Sequence, residues 1–295
     1  MDLLADVVEG ADEIRAIRHD IHAHPELAYA EQRTADLVAA RLQAWGIETH
    51  RGLGGTGVVG RIAGQRGPGR RIGLRADMDA LPIQELNTFA HRSVHAGRMH
   101  ACGHDGHVAM LLAAARALST RRDFAGEIIL IFQPAEEGGA GARRMIEDGL
   151  FERFDCDAVF ALHNWPGVPE GHLAIADGPA MASTSEFEIT VTGRGAHAAM
   201  PHLGVDPVLV AVNIVQGLQA LVTRVRRPID SAVLSVTMIH AGEATNIIPD
   251  RAVISGTVRT FSSAVTGVIE AGMHRIATGT AQAHEATAHV DFQRN

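Results

Sequence analysis

Nine residues, Met99–His107 (Met-His-Ala-Cys-Gly-His-Asp-Gly-His), gather three histidines, an aspartate and one of the chain's two cysteines. Cys102 and His104 stand two apart, so in an extended or tightly turned loop both side chains can reach one point. Three other short stretches carry related chemistry: Asp77 and Asp79 in Ala-Asp-Met-Asp-Ala-Leu-Pro, Glu136 and Glu137 in Gln-Pro-Ala-Glu-Glu-Gly-Gly, and His163 in His-Asn-Trp-Pro. Cys102, His104, Glu137 and His163 together offer one sulfur, two imidazoles and a carboxylate, a donor set for Zn, Co, Ni or Mn rather than Ca or Mg. Such an ion lowers the pKa of water from about 15.7 towards 7 and polarises a scissile carbonyl, and a carboxylate or thiolate can bridge two ions roughly 3.5–4 Å apart. Glu136, next to Glu137 on an irregular loop, can point elsewhere and serve as general base.

Taken singly, each stretch has a structural explanation. A Cys-X-His pair can be a buried thiol beside a surface histidine, a Glu-Glu pair a solvated loop, Asp77 and Asp79 loop caps, and His163 a satisfied structural histidine. Their joint occurrence after successive strands is what favours a site. A nucleotide site is disfavoured, because the glycine-rich stretch 52–60 lacks the P-loop lysine and the dinucleotide spacing.

The elements that must position these groups follow from periodicity and breakers. Ala11–His22 and Ala30–Trp45 read as helices, separated by the turn His24-Pro25-Glu26-Leu27, with Gly46 placed to end the second. Gly57–Ile62 and Arg71–Leu74 read as neighbouring strands around the Gly/Pro turn 64–69. Asp77 and Asp79 come off the second of these. Val108–Leu118 is a run of good helix formers, so the Cys102/His104 loop feeds a helix N-terminus, where the dipole favours a thiolate. Glu127–Phe132 and Asp157–Leu162 are continuous apolar runs, as expected of strands buried on both faces, and a helix from Ala142 to Asp148 lies between them. Polar residues at successive strand ends predict an α/β fold with an open, mainly parallel sheet and a site along one rim.

After Asp177-Gly178-Pro179 the pattern changes. An alternating strand at Glu186–Thr192 precedes a helix with Asp206 as N-cap and Pro207 at its first position, running to about Val225. Strands at Ala232–Ile239 and Ala252–Val258, a helix at Ala264–Thr278 and a strand at Thr287–Phe292 complete a ferredoxin-like βαββαβ unit. We place the boundary so that 1–182 forms the metal-binding domain and 183–295 the second domain.

Composition sets bounds. With 46% apolar and 20% charged residues the chain reads as globular, and a net charge of −8 without a basic stripe argues against a nucleic-acid partner. Two cysteines make no disulfide framework, the N-terminus lacks a leader pattern, and no apolar run is read as approaching membrane-spanning length, so a cytoplasmic protein is expected.

Met99–His107, Phe132–Gly138 (Phe-Gln-Pro-Ala-Glu-Glu-Gly), Leu162–Pro166 (Leu-His-Asn-Trp-Pro) and Gly193–His197 (Gly-Arg-Gly-Ala-His) resemble, in order and over essentially the whole chain, the M20 metallopeptidase family. The resemblance is to its amidohydrolase branch of hippurate hydrolases, N-acyl-amino-acid amidohydrolases and auxin-conjugate hydrolases. Asp77 stands where other members carry a histidine, which fits the branch that uses Cys102. The resemblance implies a pair of divalent ions held by Cys102, His104, Glu137 and His163, with Glu136 as general base. Asp79 would orient a ligand from outside the coordination sphere. It further implies that the βαββαβ unit is an inserted lid through which the protein forms a homodimer. His197 would stabilise the oxyanion, and Asn246 and Arg259 would hold the substrate carboxylate.

Family members continue beyond the last strand of the lid and supply a further histidine ligand, whereas this chain stops at Asn295. The expectation is therefore a C-terminally truncated chain with an incomplete catalytic sheet. The leading reading is an amidohydrolase acting on N-acyl amino acids. Two alternatives stay open: a catalytically impaired, dimerising binding protein, and a metallo-dipeptidase or carboxypeptidase.

Overall fold

A computed structural model describes residues 3–294. The chain divides into two compact units, residues 1–169 and 170–295.

The first unit opens with helices α1 (Leu3–Glu9), α2 (Ala11–Ala23) and α3 (Gln32–Ala44). Its sheet is formed by β1 (Glu48–Leu53), β2 (Gly57–Ala63), β3 (Arg71–Asp77), β4 (Glu127–Gln133) and β5 (Ala158–Ala161); α4 (His104–Thr120) joins β3 to β4, and α5 (Gly141–Glu147) and α6 (Leu150–Arg153) follow β4. The expected end of α3 is present. Gly46 adopts φ +68°, Ile47 N donates to Leu42 O (3.0 Å), and Gly46 N donates to Gln43 O (3.0 Å). This 6→1 and 5→2 pair satisfies carbonyls the helix leaves open.

The sheet order is β1-β2-β4-β3-β5, with β1, β2 and β4 antiparallel and β4, β3 and β5 parallel. The sheet is thus mixed rather than mainly parallel, and β2 and β3 are not neighbours. The reason lies in the Gly/Pro turn, whose backbone is engaged by the segment before β4: Gly64 N donates to Gly126 O (2.9 Å), Gln65 N to Arg122 O (2.8 Å) and Arg66 N to Phe124 O (3.0 Å). That grip leads β4 in between the two strands.

The apolar run of β4 is buried on both faces, as its pattern predicts. Leu130 and Phe132 pack with Ile21, Val38, Leu42 and Leu112 of the helices on one side. Ile129 and Ile131 pack with Met145, Leu150 and Phe154 on the other. The second apolar run behaves differently: among the described residues β5 pairs only with β3, and Val159 and Phe160 are exposed at 44% and 59%. Periodicity registers an apolar strand but not how many partners it has.

The second unit contains β6 (Ser183–Thr192), β7 (Ala196–His197), α7 (Pro207–Ala220, continued by a wider turn over Leu221–Val225), β8 (Ala232–Ala241), β9 (Ile247–Ile248), β10 (Arg251–Thr260), α8 (Ser263–Ala283) and β11 (Thr287–Arg294). The antiparallel sheet runs β11-β6-β10-β8, and β7 pairs with β9 in a small ribbon. Element order and strand order are those of a ferredoxin-like βαββαβ unit. Phe187, Ile189 and Val191 point to one face of β6 and meet Ile214, Leu218, Ile269 and Met273 of the two helices.

One sequence expectation needs correcting here. Pro207–Val225, at mean hydropathy 1.6, is long and apolar enough to cross a membrane by length and composition. Its Val210, Ala211, Ile214, Leu218 and Leu221 instead form part of the unit's core. The start of this helix is as the sequence predicts, with Asp206 Oδ1 accepting from Val208 N (2.9 Å) and Leu209 N (3.4 Å). Replacing Asp206 by Ala orphans those amides and should lower the unit's stability by about 1 kcal/mol, read as an earlier midpoint in urea denaturation followed by circular dichroism.

Candidate metal centre

The parallel strands β3, β4 and β5 end along one edge of the first unit's sheet, and each end delivers polar side chains. Asp77 closes β3 and Asp79 follows it; the loop after β4 carries Glu136 and Glu137; His163 lies two residues beyond β5. The first turn of α4 brings His104 into their midst. Gly103 precedes it at φ +84°, a left-handed conformation that suits glycine.

His104 is the hub. Its side chain is fully buried; Nδ1 faces Asp79 Oδ1 at 3.3 Å, while Nε2 lies 3.7 Å from Asp77, 3.9 Å from Glu136 and 3.8 Å from Glu137. Neither nitrogen makes a hydrogen bond of good geometry among the described residues. Cys102, His104 and His163 bring their donor atoms within 4.8 Å of one another, as do His104, Glu136 and Glu137, and likewise Asp77, His104 and His107. The structure therefore brings Cys102 and His163 on the one hand and Glu136 and Glu137 on the other to a shared His104, with Asp79 behind it.

The two aspartates act on different neighbours. Asp79 accepts from the amides of Glu136 (3.0 Å) and Glu137 (2.9 Å), which fixes the course of the loop. Burial would raise its pKa, but His104 and the two amides outweigh burial and hold it below the usual carboxylate range. Asp77 accepts from His107 Nδ1 (2.6 Å) and Arg75 Nη1 (2.7 Å). Against its burial, the His107 hydrogen bond and the charges of Arg75 and His104 bring the Asp77 carboxyl down to about 2. His107 Nε2 in turn accepts from Asn164 N (3.1 Å), and Asn164 O receives a hydrogen bond from His163 Nδ1 (2.6 Å).

These contacts fix tautomers. With the His163 Nδ1 proton on a backbone carbonyl, its Nε2 lone pair faces into the cluster and accepts from the Cys102 thiol at 3.4 Å. An imidazole held this way through its far nitrogen is the usual presentation of a metal-ligating histidine. Charge makes the same demand. Burial and then the carboxylates of Glu137, Glu136 and Asp77 push the Cys102 thiol up to about 12, so a cation is what would make a thiolate there favourable. The orphaned nitrogens of His104, the inward-facing Nε2 of His163 beside the Cys102 thiol, and the crowd of acids fit divalent cations.

Several supporting residues are missing from the sequence reading. The sequence marks Asp77 as a strand-end carboxylate that could equally cap a loop, and His107 as a supporting or structural member of the Met99–His107 cluster; Arg75 and Asn164 are not singled out. The available signals were the i, i+3 spacing of His104 and His107 on one helix and the i, i+2 spacing of Arg75 and Asp77 on one strand. Asp105 gives α4 a second anchor, accepting from Arg18 Nε and His22 Nδ1 of α2, both at 3.1 Å.

The remaining predicted residues lie in the second unit. His197 pairs with Ile247 on the β7–β9 ribbon, and Asn246 immediately precedes β9, its carbonyl accepting from Ala198 N (3.0 Å). His197 Nδ1 accepts from Ala199 N (3.1 Å), which leaves the ring proton on Nε2. Arg259 sits on β10, its guanidinium donating to Thr257 Oγ1 and Val258 O.

Comparison with known proteins bears on this arrangement. A family model described as peptidase family M20/M25/M40 matches residues 73–291. The chain is 43% identical over 285 residues to a protein of Campylobacter jejuni named hippurate hydrolase, spanning 97% of this chain and 74% of that one. It is also 43% identical to an N-acyl-L-amino acid amidohydrolase of Geobacillus stearothermophilus, over 97% of this chain and 77% of that one. Among solved structures, a Bacillus subtilis dinuclear metal-binding peptidase from the M20 family superposes with a TM-score of 0.82 at 37% identity, covering 96% of this chain and 73% of that one.

Gly103 offers a test of the site that does not touch a donor atom. A Cβ there would lie 2.1 Å from Asn164 Nδ2, at a backbone angle that alanine resists. Gly103→Ala should therefore displace the Asn164 and His163 side of the cluster and weaken metal affinity by about 10-fold or more, measured by metal titration of chelator-treated protein. Unchanged affinity would remove this packing from the account.

Proposed function

The chain belongs to peptidase family M20/M25/M40 and acts on amide bonds, and on that premise we propose that it hydrolyses N-acyl amino acids of the hippurate type. The observation that carries the reading is the placement of two adjacent glutamates on one loop, both amides bound to Asp79 and both side chains within 4 Å of His104 Nε2. One can serve as a ligand while the other handles a proton.

In this reading Cys102, His104, Glu137 and His163 would hold two divalent cations, with Zn, Mn, Co and Ni all compatible with the donors. When bound, such ions supply Lewis acidity and an acidified water. Glu136 takes the proton from the attacking water and delivers it to the amide nitrogen as the C–N bond breaks. Burial, reinforced by the charges of Glu137 and Asp77, pushes the Glu136 carboxyl upward, towards the range useful for a base that must also act as an acid. Asp79 keeps His104 oriented.

The βαββαβ unit supplies the rest as a lid and dimerisation domain. His197, with its proton on Nε2, is ready to donate to a developing oxyanion. Arg259 and Asn246 are assigned to the substrate carboxylate, a charge that a free amino acid product and its N-acyl precursor share. The likeness to two N-acyl amino acid hydrolases supports the substrate class, and a cytoplasmic setting belongs to the same reading.

Glu136→Gln tests the assignment. Hippurate turnover should fall by about 10²–10⁴-fold while metal content stays at the wild-type level by elemental analysis. Near-normal turnover would take Glu136 out of the chemistry.

A further inference from the structure

The turn between α2 and α3, which the sequence marks only as a helix break, reaches both loops that carry the site's acids. Leu27 pairs with Ala80, and Ala80 N donates to Glu26 O at 2.8 Å, one residue beyond Asp79. Farther along the turn, Glu31 is completely buried, and its carboxylate accepts three hydrogen bonds. Oε1 takes Ala135 N (2.8 Å) and Tyr29 N (3.0 Å), and Oε2 takes Thr56 Oγ1 (2.6 Å). Tyr29 also donates its hydroxyl to Gly139 O at 2.5 Å.

The loop bearing Glu136 is thus gripped at three places. Ala135 N goes to Glu31, the next two amides go to Asp79, and Gly139 O goes to Tyr29. Three consecutive amides are thereby aimed at two buried carboxylates. The backbone shows the consequence: Ala135 adopts φ +50°, a left-handed conformation that an alanine holds only when its surroundings over-determine it. The acceptor immediately at that residue is Glu31.

We propose that Glu31 is a positioning residue for Glu136, holding Ala135 left-handed so that the next side chain is presented to the substrate amide; this rests on the reading of Glu136 as the proton carrier. Without that acceptor, Ala135 N–H is buried and unpaired, and the residue relaxes towards negative φ. The peptide between Ala135 and Glu136, still held by Gly141 N on Ala135 O (3.0 Å) and by Asp79 on Glu136 N (3.0 Å), tilts about those two bonds, and the Glu136 carboxylate moves with it. A displacement of about 1 Å at a reacting group is worth up to about 10²-fold in rate.

The chemistry of Glu31 also predicts which substitution is harmless. Glutamine keeps an oxygen for the Ala135 and Tyr29 amides, while its nitrogen can donate to Thr56 Oγ1, a hydroxyl able to reverse its role. Glu31→Gln should therefore retain kcat within about threefold, whereas Glu31→Ala should lose kcat by about 10–100-fold, with KM for hippurate and metal content unchanged. Amide exchange over residues 134–139, followed by mass spectrometry, should accelerate in Glu31→Ala and not in Glu31→Gln. That readout needs no turnover.

In a Glu136→Gln background, Glu31→Ala should cause no further loss of kcat, because the group it positions is already gone. If Glu31→Ala does not fold, Glu31→Asp retracts the carboxylate from Ala135 N and should give the same split with a smaller loss. Normal kcat in a folded Glu31→Ala, unaltered exchange over 134–139, or loss of kcat in step with loss of metal would each overturn the proposal. If Glu136→Gln itself proves fully active, the reading of Glu136 fails and takes the positioning role with it. If Glu136→Gln is inactive and Glu31→Ala is not, the positioning role alone fails.

Discussion

A carboxylate buried away from water must be offset by donors, and Asp79 finds them in the two amides that carry Glu136 and Glu137. The same carboxylate faces His104 Nδ1, so one side chain fixes a loop and the ring at the centre of the site. The rest of the arrangement builds outward from it. Because β3 and β4 run parallel and in register, Asp77 pairs with Gln133, and the residues that follow each strand emerge on one edge of the sheet. The helix between these strands returns its first turn to that edge. A mixed sheet with its parallel half at this end suffices, and the antiparallel β1–β2 half serves the core.

Acids crowded at low exposure would repel one another in an otherwise apolar unit, and the molecule offsets them in two ways. Asp77 is charged because His107 and Arg75 stand against it, and Asp105 because His22 and Arg18 do. Among the described residues Glu136 and Glu137 have no such cationic partner and lie within 4 Å of His104 Nε2, while the Cys102 thiol meets His163 Nε2. The first group holds the frame and the second awaits positive charge. This division, more than any single distance, favours reading the cluster as a metal centre rather than a structural ion-pair network.

Much of this was legible in the sequence where a residue's own pattern encodes its place. The run Ile128–Phe132 could be buried on both faces only in a sheet covered twice, Asp206-Pro207 could only start a helix, and Gly46 after Trp45 could only end one. The donors Cys102, His104, Glu137 and His163 were visible because their types are costly to explain away together. What the sequence withheld is partner choice. β1 (Glu-Thr-His-Arg-Gly-Leu) is too polar to stand out as a strand, and nothing in β2 or β3 says that β4 passes between them. Nor does an acidic residue announce that it is buried: Glu31 reads as part of a helix's first turn and Asp77 as a strand-end or loop-capping acid until the fold closes over them. The exposed edge of β5 eluded the pattern for the same reason.

Cys102, His104, Glu137 and His163 are proposed to hold two divalent cations, and cobalt substitution tests this at the sulfur. Cobalt(II) bound by a thiolate shows a ligand-to-metal charge-transfer absorption in the near ultraviolet, distinct from its weaker visible bands. Adding cobalt(II) to chelator-treated protein should produce that absorption in the wild-type chain, and Cys102→Ala should abolish it. Cobalt bound tightly with no charge-transfer band in the wild-type chain, or with a band that survives Cys102→Ala, would contradict the account.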